Sequence, residues 1–175
     1  MNWSNALKNI FLLLCIILLP SAILAQSYST QKGGHCYTLD IPDYMTKTYT
    51  LNDVASMQYQ NIQREAYTMV IEDEKSELES LGIKFVDAAD FLDQFIGEYM
   101  VDSQNRKTSK TTTFNSNGNN AAQLVLEWTD EIDFYMLITV VETKTHFYKI
   151  MSWTLSENKD KLKDDFQKTA KSLKD

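Results

Sequence analysis

The chain has 175 residues, of which 43% are hydrophobic and 23% charged, with only 5 Gly and 2 Pro. This composition is typical of one globular domain and excludes collagenous, low-complexity and wholly disordered chains. The formal net charge of −7 and the pI near 4.8 argue against nucleic-acid binding and against adhesion to anionic membranes, because both need a basic surface.

Residues 1–25 have the three-part layout of a secretory signal peptide. Lys8 and the terminal amine supply the positive start, residues 10–19 are apolar, and Ala25 is a small residue before the expected cut. The apolar run is shorter than the roughly 20 residues that cross a bilayer. We therefore expect export to the periplasm or the outside of the cell, with a mature chain that begins near Gln26. An uncleaved membrane anchor is the alternative.

Cleavage would leave a mature chain with one cysteine. Cys15 leaves with the signal peptide and Cys36 remains, so we expect Cys36 to be buried as a small apolar side chain; pairing with another chain is the alternative. The net charge falls from −7 to −8 because Lys8 is also removed. Residues 26–34 are polar and end in two glycines, which predicts a flexible lead-in before a single domain at residues 35–175.

The first half of the domain combines strands with helices. Alternating apolar residues predict strands at residues 36–41, 56–61 and 66–72. A short helix at residues 73–81 is expected to end at Gly82. A longer helix follows, because apolar residues recur at three- and four-residue steps and the Asp87 carboxylate can accept from the free amides of a first turn. Its apolar stripe consists of Phe85, Ala88, Ala89, Leu92, Ile96 and Tyr99.

The second half is dominated by strands. Asn117-Gly118 is a strong hairpin signal, and the polar stretch before it fits an edge strand at residues 107–114. Three strands follow, at residues 121–128, 132–143 and 145–155, and a closing helix at residues 158–173. The middle strand carries apolar residues on both of its faces, which predicts material on both sides of the sheet. The fold class is therefore α+β, a mostly antiparallel sheet flanked by helices, with the C-terminal helix packed on the sheet.

Four segments of this pattern resemble the PsbP-like fold, which photosystem extrinsic subunits, Ran-binding Mog-type proteins and small exported bacterial domains share. They are Tyr37-Thr38-Leu39-Asp40-Ile41-Pro42, Asn117-Gly118-Asn119-Asn120-Ala121-Ala122, Phe147-Tyr148-Lys149-Ile150 and the helix segment from Phe166 to Leu173. The resemblance covers residues 35–174. It implies a binding or scaffold module without catalysis. Because the binding residues differ between branches of this fold, the resemblance assigns none of them here.

Candidate reactive groups are few. His35, Cys36 and His146 could contribute to a zinc site or a Cys–His pair, but they lack the close paired spacing of zinc ligands and no nucleophile signature accompanies them. The carboxylates at residues 72–74 and 130–133 lack the glycines and regular spacing of a calcium loop. We therefore expect no metal site, no cofactor and no enzymatic activity. A hydrolase is kept only as a third hypothesis.

Two candidate binding sites remain. Arg106, Lys107 and Lys110 form a basic island on an acidic protein and could receive an acidic protein partner. Trp128, Tyr135 and Tyr148 lie on neighbouring strands and could line a groove between sheet and helix. The sequence thus predicts an exported, non-catalytic binding or assembly module of the cell envelope. A module that binds a small molecule or a lipid in that groove is the alternative.

Overall fold

The structure, a computed structural model, describes residues 26–34 and 37–175. The predicted signal peptide, His35 and Cys36 lie outside the described residues. The elements in chain order are β1 (Tyr28–Gly33), β2 (Tyr37–Pro42), β3 (Thr46–Lys47), β4 (Met57–Asn61), β5 (Ala66–Glu74), α1 (Lys75–Ser80), α2 (Ala88–Glu98), β6 (Gln104–Thr108), β7 (Thr112–Ser116), β8 (Asn119–Asp130), β9 (Ile132–Glu142), β10 (His146–Leu155) and α3 (Lys159–Lys171). The predicted α+β class is confirmed.

The larger sheet has eight strands, and their pairings are antiparallel. The order is β3-β4-β5-β10-β9-β8, and both β6 and β7 pair with β8 along the edge that β9 leaves free. Strands β8, β9 and β10 follow one another as two hairpins, the simplest antiparallel connection. Strands β1 and β2 form a separate two-stranded sheet. The predicted antiparallel architecture with helices against it is therefore confirmed.

Apolar residues on both faces of β9 divide the core into two layers. Met136 and Ile138 pack with α2, while Tyr135, Leu137 and Val141 pack with α3 and β2. We call these two sides the α2 face and the α3 face. Side chains alternate along a strand, so one continuous apolar run serves both layers. The predicted two-sided central strand is confirmed.

Local sequence signals determine where α2 begins and where β7 turns into β8. Asp87 caps α2, because its carboxylate accepts from the backbone amides of Ala89 and Asp90 at 2.8 and 2.9 Å. Asn117 and Gly118 join β7 to β8 with φ of +51° and +91°, the left-handed conformations that a two-residue turn of this type requires. Both features were predicted and are confirmed.

The chain before β2 is a strand and not the flexible lead-in that its polar residues predicted. Strand β1 pairs with β2 from Tyr28 opposite Pro42 to Gly33 opposite Tyr37. The Tyr28 hydroxyl also donates to the Asp165 carboxylate on α3 at 2.6 Å. Backbone pairing needs no apolar side chain, so a polar strand can form wherever a neighbouring strand offers its free edge.

The helices of the described chain are all short or amphipathic. Within residues 26–34 and 37–175, no helix is both long and apolar enough to span a membrane.

Candidate binding surface

The α2 face keeps four aromatic side chains that its helix does not fully cover. Tyr67 of β5 and Trp153 of β10 stack with ring centres 5.3 Å apart, and Trp128 of β8 and Phe134 of β9 stack at 4.9 Å. Tyr67, Trp153 and Phe134 are half-buried, and Trp128 is 8% exposed. We call these four residues the aromatic strip. It crosses four neighbouring strands of the sheet.

Strand register creates the strip. Trp153 lies opposite Tyr67 on one side and Met136 on the other. Two residues before Met136 in β9, Phe134 lies opposite Trp128. Directly opposed side chains in an antiparallel sheet lie on the same face and touch. The register therefore places these aromatic rings on one surface.

Tyr67 anchors one end of the strip through its hydroxyl group. This group donates to the Glu65 carboxylate at 2.8 Å. Burial, and then the hydrogen bond to Glu65 and its negative charge, raise the pKa of Tyr67 to about 12. The phenol therefore stays protonated at neutral pH, and the ring offers a neutral face.

Carboxylates border the other end of the strip. Trp128 and Phe134 line a surface depression of about 260 Å³ together with Asp133 and Lys107. Trp128 also lines a second depression beside Asp130 and Glu131. We call Asp130, Glu131 and Asp133 the acidic border; all three are exposed.

None of the acidic border carboxylates has an ion-pair partner among the described residues. The four ion pairs found there are Lys75–Glu142, Lys149–Asp73, Lys159–Glu127 and Lys163–Asp160, with N–O distances of 2.6 to 2.9 Å. Lys107 lines the same depression as Asp133, but in the described chain neither it nor any other lysine or arginine forms an ion pair with the acidic border.

Comparison with known proteins identifies the architecture. No family model and no curated protein matches the chain. Among solved structures, the cyanobacterial PsbP protein (CyanoP) of Synechocystis sp. PCC 6803 superimposes with a TM-score of 0.59 at 16% identity, over 89% of this chain and 98% of that one. The fold is PsbP-like.

Two further structures share this PsbP-like architecture. LpqN of Mycobacterium tuberculosis, a protein involved in cell envelope biogenesis, matches with a TM-score of 0.57 at 12% identity, over 85% of this chain and 90% of its own. A protein of unknown function from Pseudomonas aeruginosa, described as a putative regulator, matches at 0.52 with 14% identity, over 85% of this chain and 96% of its own. At these identities the likeness shows the fold alone. The predicted resemblance is confirmed at that level.

Within the PsbP-like fold, the three residues of the predicted basic island lie in different surroundings. Arg106 is not a free surface cation: its guanidinium donates to the backbone carbonyls of Ile96 and Tyr99 at the end of α2. Lys107 lies opposite Glu127 in the sheet. Lys110 is exposed in the short link between β6 and β7. The last carbonyls of a helix lack backbone partners and favour a cation, so Arg106 is used within the fold.

The polar stretch around this island is also part of the fold. Residues 102–120 form β6, β7 and the turn into β8. In that turn, the Asn117 side-chain amide donates to the carbonyls of Lys171 and Leu173 at 3.1 and 2.8 Å. The stretch thus satisfies the carbonyl end of α3 as well as that of α2.

The three residues of the predicted groove do not share a face. Tyr135 and Tyr148 lie beneath α3 and are 4% and 0% exposed, whereas Trp128 belongs to the α2 face. The Tyr148 ring packs against Tyr37 at 4.8 Å. These three side chains therefore line no common groove, and only Trp128 reaches the aromatic strip.

His146, the candidate metal ligand among the described residues, contacts a hydroxyl group and an aromatic ring. His146 Nδ1 lies 2.9 Å from the Thr145 hydroxyl, and its ring stacks on Tyr148. In the part of the chain that the structure describes, no group of three or more His, Cys, Asp or Glu side chains is arranged to hold a metal ion.

Proposed function

We propose that this protein is an exported, non-catalytic binding module that holds a protein partner on the aromatic strip and assists an assembly of the cell envelope. The observation that carries the proposal is the difference between the two faces of the sheet. Residues of the α3 face such as Tyr148, Phe166 and Leu173 are at most 1% exposed, while Tyr67, Phe134 and Trp153 of the aromatic strip are only half-buried.

Accessible aromatic surface suits a binding role. Trp and Tyr are enriched at the centres of protein interfaces, where they bury much area with few rotatable bonds. Contiguous exposed apolar surface on a soluble protein commonly marks an interaction site. Tyr67 and Trp153 stack side by side on an open sheet surface, which fits a protein surface better than an enclosed small ligand.

Four tyrosines are not activated for acid–base chemistry at neutral pH. Burial raises the pKa of Tyr37, Tyr59, Tyr99 and Tyr135 above the ordinary value. A phenol that serves as a base or nucleophile at neutral pH needs a lowered pKa. These hydroxyls therefore stay neutral.

Export and an envelope location are supported from two sides. The N-terminal pattern of positive, apolar and small residues is typical of a secretory signal. The structural neighbour LpqN is involved in cell envelope biogenesis. Sequencing the amino terminus of the exported protein tests this part of the proposal; a start near Gln26 is expected, and an intact Met1 at the membrane would contradict it.

The binding role is tested by removing the aromatic rings. We propose the double variant Tyr67→Thr/Trp153→Thr, which keeps β-branched residues in the strands. Tyr49→Thr is the matched control, because Tyr49 lies outside the aromatic strip and is 74% exposed. Each protein is cross-linked in the envelope fraction of its own cells, and captured proteins are quantified by mass spectrometry.

The wild type and Tyr49→Thr are expected to capture the same partner, and the double variant is expected to lose about nine-tenths of that capture, as for a loss of roughly 1.4 kcal/mol. Circular dichroism confirms that the double variant is folded. Undiminished capture by a folded double variant would overturn the proposed binding role of the strip.

A further inference from the structure

Three lysine side chains in the described chain contact both an aromatic ring and a carboxylate. Lys75 Nζ lies 4.7 Å from the centre of the Phe147 ring and 2.8 Å from a Glu142 carboxylate oxygen. Lys159 Nζ lies 5.1 Å from the Tyr135 ring and 2.7 Å from Glu127. In both cases the ammonium group sits between the negative face of an aromatic ring and a carboxylate.

A third lysine shows the same arrangement in a more buried setting. Lys149 Nζ lies 5.2 and 5.1 Å from the rings of Phe91 and Phe95, and 2.9 Å from Asp73. Its side chain is only 12% exposed. Three of the four ion pairs among the described residues thus include an aromatic ring.

At the end of the strip where Trp128 and Phe134 lie, the depressions that Trp128 lines also contain residues of the acidic border. In the described chain, the cation–ring contacts involve rings other than Tyr67, Trp153, Phe134 and Trp128. The border carboxylates Asp130, Glu131 and Asp133 have no ion-pair partner there either. Lys107 is the one cation that lines the depression beside Phe134.

We infer that the occupant of the aromatic strip is a partner segment rich in Arg and Lys. This inference rests on the proposed function, because it names the partner class of the same surface. A guanidinium or ammonium group stacks on an aromatic face while a carboxylate neutralises its charge. The protein already holds three of its own lysines in this way, and the strip with its border presents the same chemistry to a second molecule.

The negative net charge of the protein also favours a cationic partner on the aromatic strip over a second copy of the chain. The chain has a net charge of −7, or −8 without Lys8, so a second copy would bring its own acidic border against this one. Like charges placed across an interface oppose association. A cationic segment instead gains from the overall field as well as from the local contacts.

The direct test uses a fluorescent peptide in which Arg alternates with Gly, and a control peptide in which Glu replaces Arg. Binding is measured by anisotropy at low and at physiological salt, with protein expressed from the full sequence. The border variant is Asp130→Asn/Glu131→Gln/Asp133→Asn. The matched control is Glu77→Gln/Glu79→Gln/Asp164→Asn, which removes the same charge from exposed positions on α1 and α3.

The wild type is expected to bind the Arg peptide and not the Glu peptide. We expect the border variant to bind about tenfold more weakly at low salt, because three exposed pairs are lost where screening is least. The matched control should change binding by about twofold or less, and Tyr67→Thr/Trp153→Thr should weaken it about tenfold. Absence of binding by the wild type, or equal weakening in both charge variants, would overturn the inference.

Two further outcomes separate this inference from the proposed function. If Tyr67→Thr/Trp153→Thr loses the envelope partner but the border variant retains it in full, the strip binds a partner that is not cationic, and only the inference fails. If sedimentation shows a dimer that the double variant abolishes, the occupant is a second copy, and the inference is likewise overturned.

Discussion

The two faces of the sheet use aromatic residues in opposite ways. On the α3 face, Tyr37 and Tyr148 pack ring against ring under α3 and are at most 1% exposed. On the α2 face, Tyr67 and Trp153 also stack, but both keep part of their surface accessible. Burial of an aromatic side chain contributes to stability in proportion to the area removed from water. The aromatic pair on the first face therefore contributes its full area to stability, and the pair on the second face leaves part of its surface accessible.

The largest expected effect compares one phenylalanine from each face. Phe166→Ala removes a ring that is 1% exposed and should lower the free energy of unfolding by about 3–5 kcal/mol. Phe134→Ala removes a half-buried ring and should cost about 1–2 kcal/mol, since less area is lost. Urea denaturation of both variants measures the difference. Equal losses would mean that the two faces are equally well packed.

The next effect concerns how the α2 face is held together. Arg106→Gln removes charged donors from the carbonyls of Ile96 and Tyr99 and should lower the free energy of unfolding by about 1–3 kcal/mol. Lys107→Gln is the neighbouring control and should stay within about 0.5 kcal/mol, because Lys107 is exposed. If the two substitutions behave alike in thermal or urea unfolding, Arg106 has no structural role at the end of α2.

High pH is expected to weaken the contacts that two tyrosines make with α3. The Tyr28 and Tyr44 hydroxyls both donate to the Asp165 carboxylate. Burial first, and then the hydrogen bond and charge of Asp165, raise the pKa of both phenols above the ordinary value of 10.0. Below that value both phenols are neutral in the folded and unfolded states, and their full contribution is present.

Above about pH 10 the unfolded chain ionises first, so the free energy of unfolding falls by at most about 1.4 kcal/mol per pH unit for each phenol. Partial exposure of Tyr28 reduces its share through solvent screening. Denaturant unfolding between about pH 9 and about pH 11 measures the slope. Tyr28→Phe/Tyr44→Phe should flatten it, and an unchanged slope would show that these two phenols do not cause it.

The smallest effect is a stabilisation on the α2 face. Gly97 lies inside α2, and an added Cβ would meet no atom within 4 Å. Gly97→Ala should raise the free energy of unfolding by about 0.5–1 kcal/mol through helix propensity alone. Gly118→Ala has similar open space but a φ of +91°, so it should destabilise by a similar amount. Thermal unfolding of the pair distinguishes these signs; a loss of stability in Gly97→Ala would indicate that α2 needs flexibility there.

The sequence was sufficient for features that depend on neighbouring residues. Asp87 predicts the start of α2, Asn117 and Gly118 predict a hairpin, and the continuous apolar run of β9 predicts two core layers. These signals act within a few residues, because caps, turns and side-chain alternation are local properties of the backbone. The α+β class followed from them.

Features that depend on contacts between residues far apart in the sequence could not be predicted from local patterns. Strand β1 forms because β2 offers a free edge, and its polar residues give no sign of this. Arg106 meets Tyr99 only when β6 returns alongside the end of α2. The aromatic residues were visible in the sequence, but which of them share a surface depends on the register of β5, β10, β9 and β8. Trp128 was therefore grouped with Tyr135 and Tyr148, although it lies on the opposite side of the sheet.

The broken edges of the large sheet affect how the protein behaves at high concentration. At one margin the outermost strand is β3, which has only two residues; at the other, the long β8 is covered by two five-residue strands, β6 and β7, with Lys110 in the gap between them. A long, regular margin would let one molecule add its strands to another and grow into a fibre. In the described chain each edge of this sheet is interrupted within five residues, so edge-to-edge pairing between molecules finds no long, continuous edge strand.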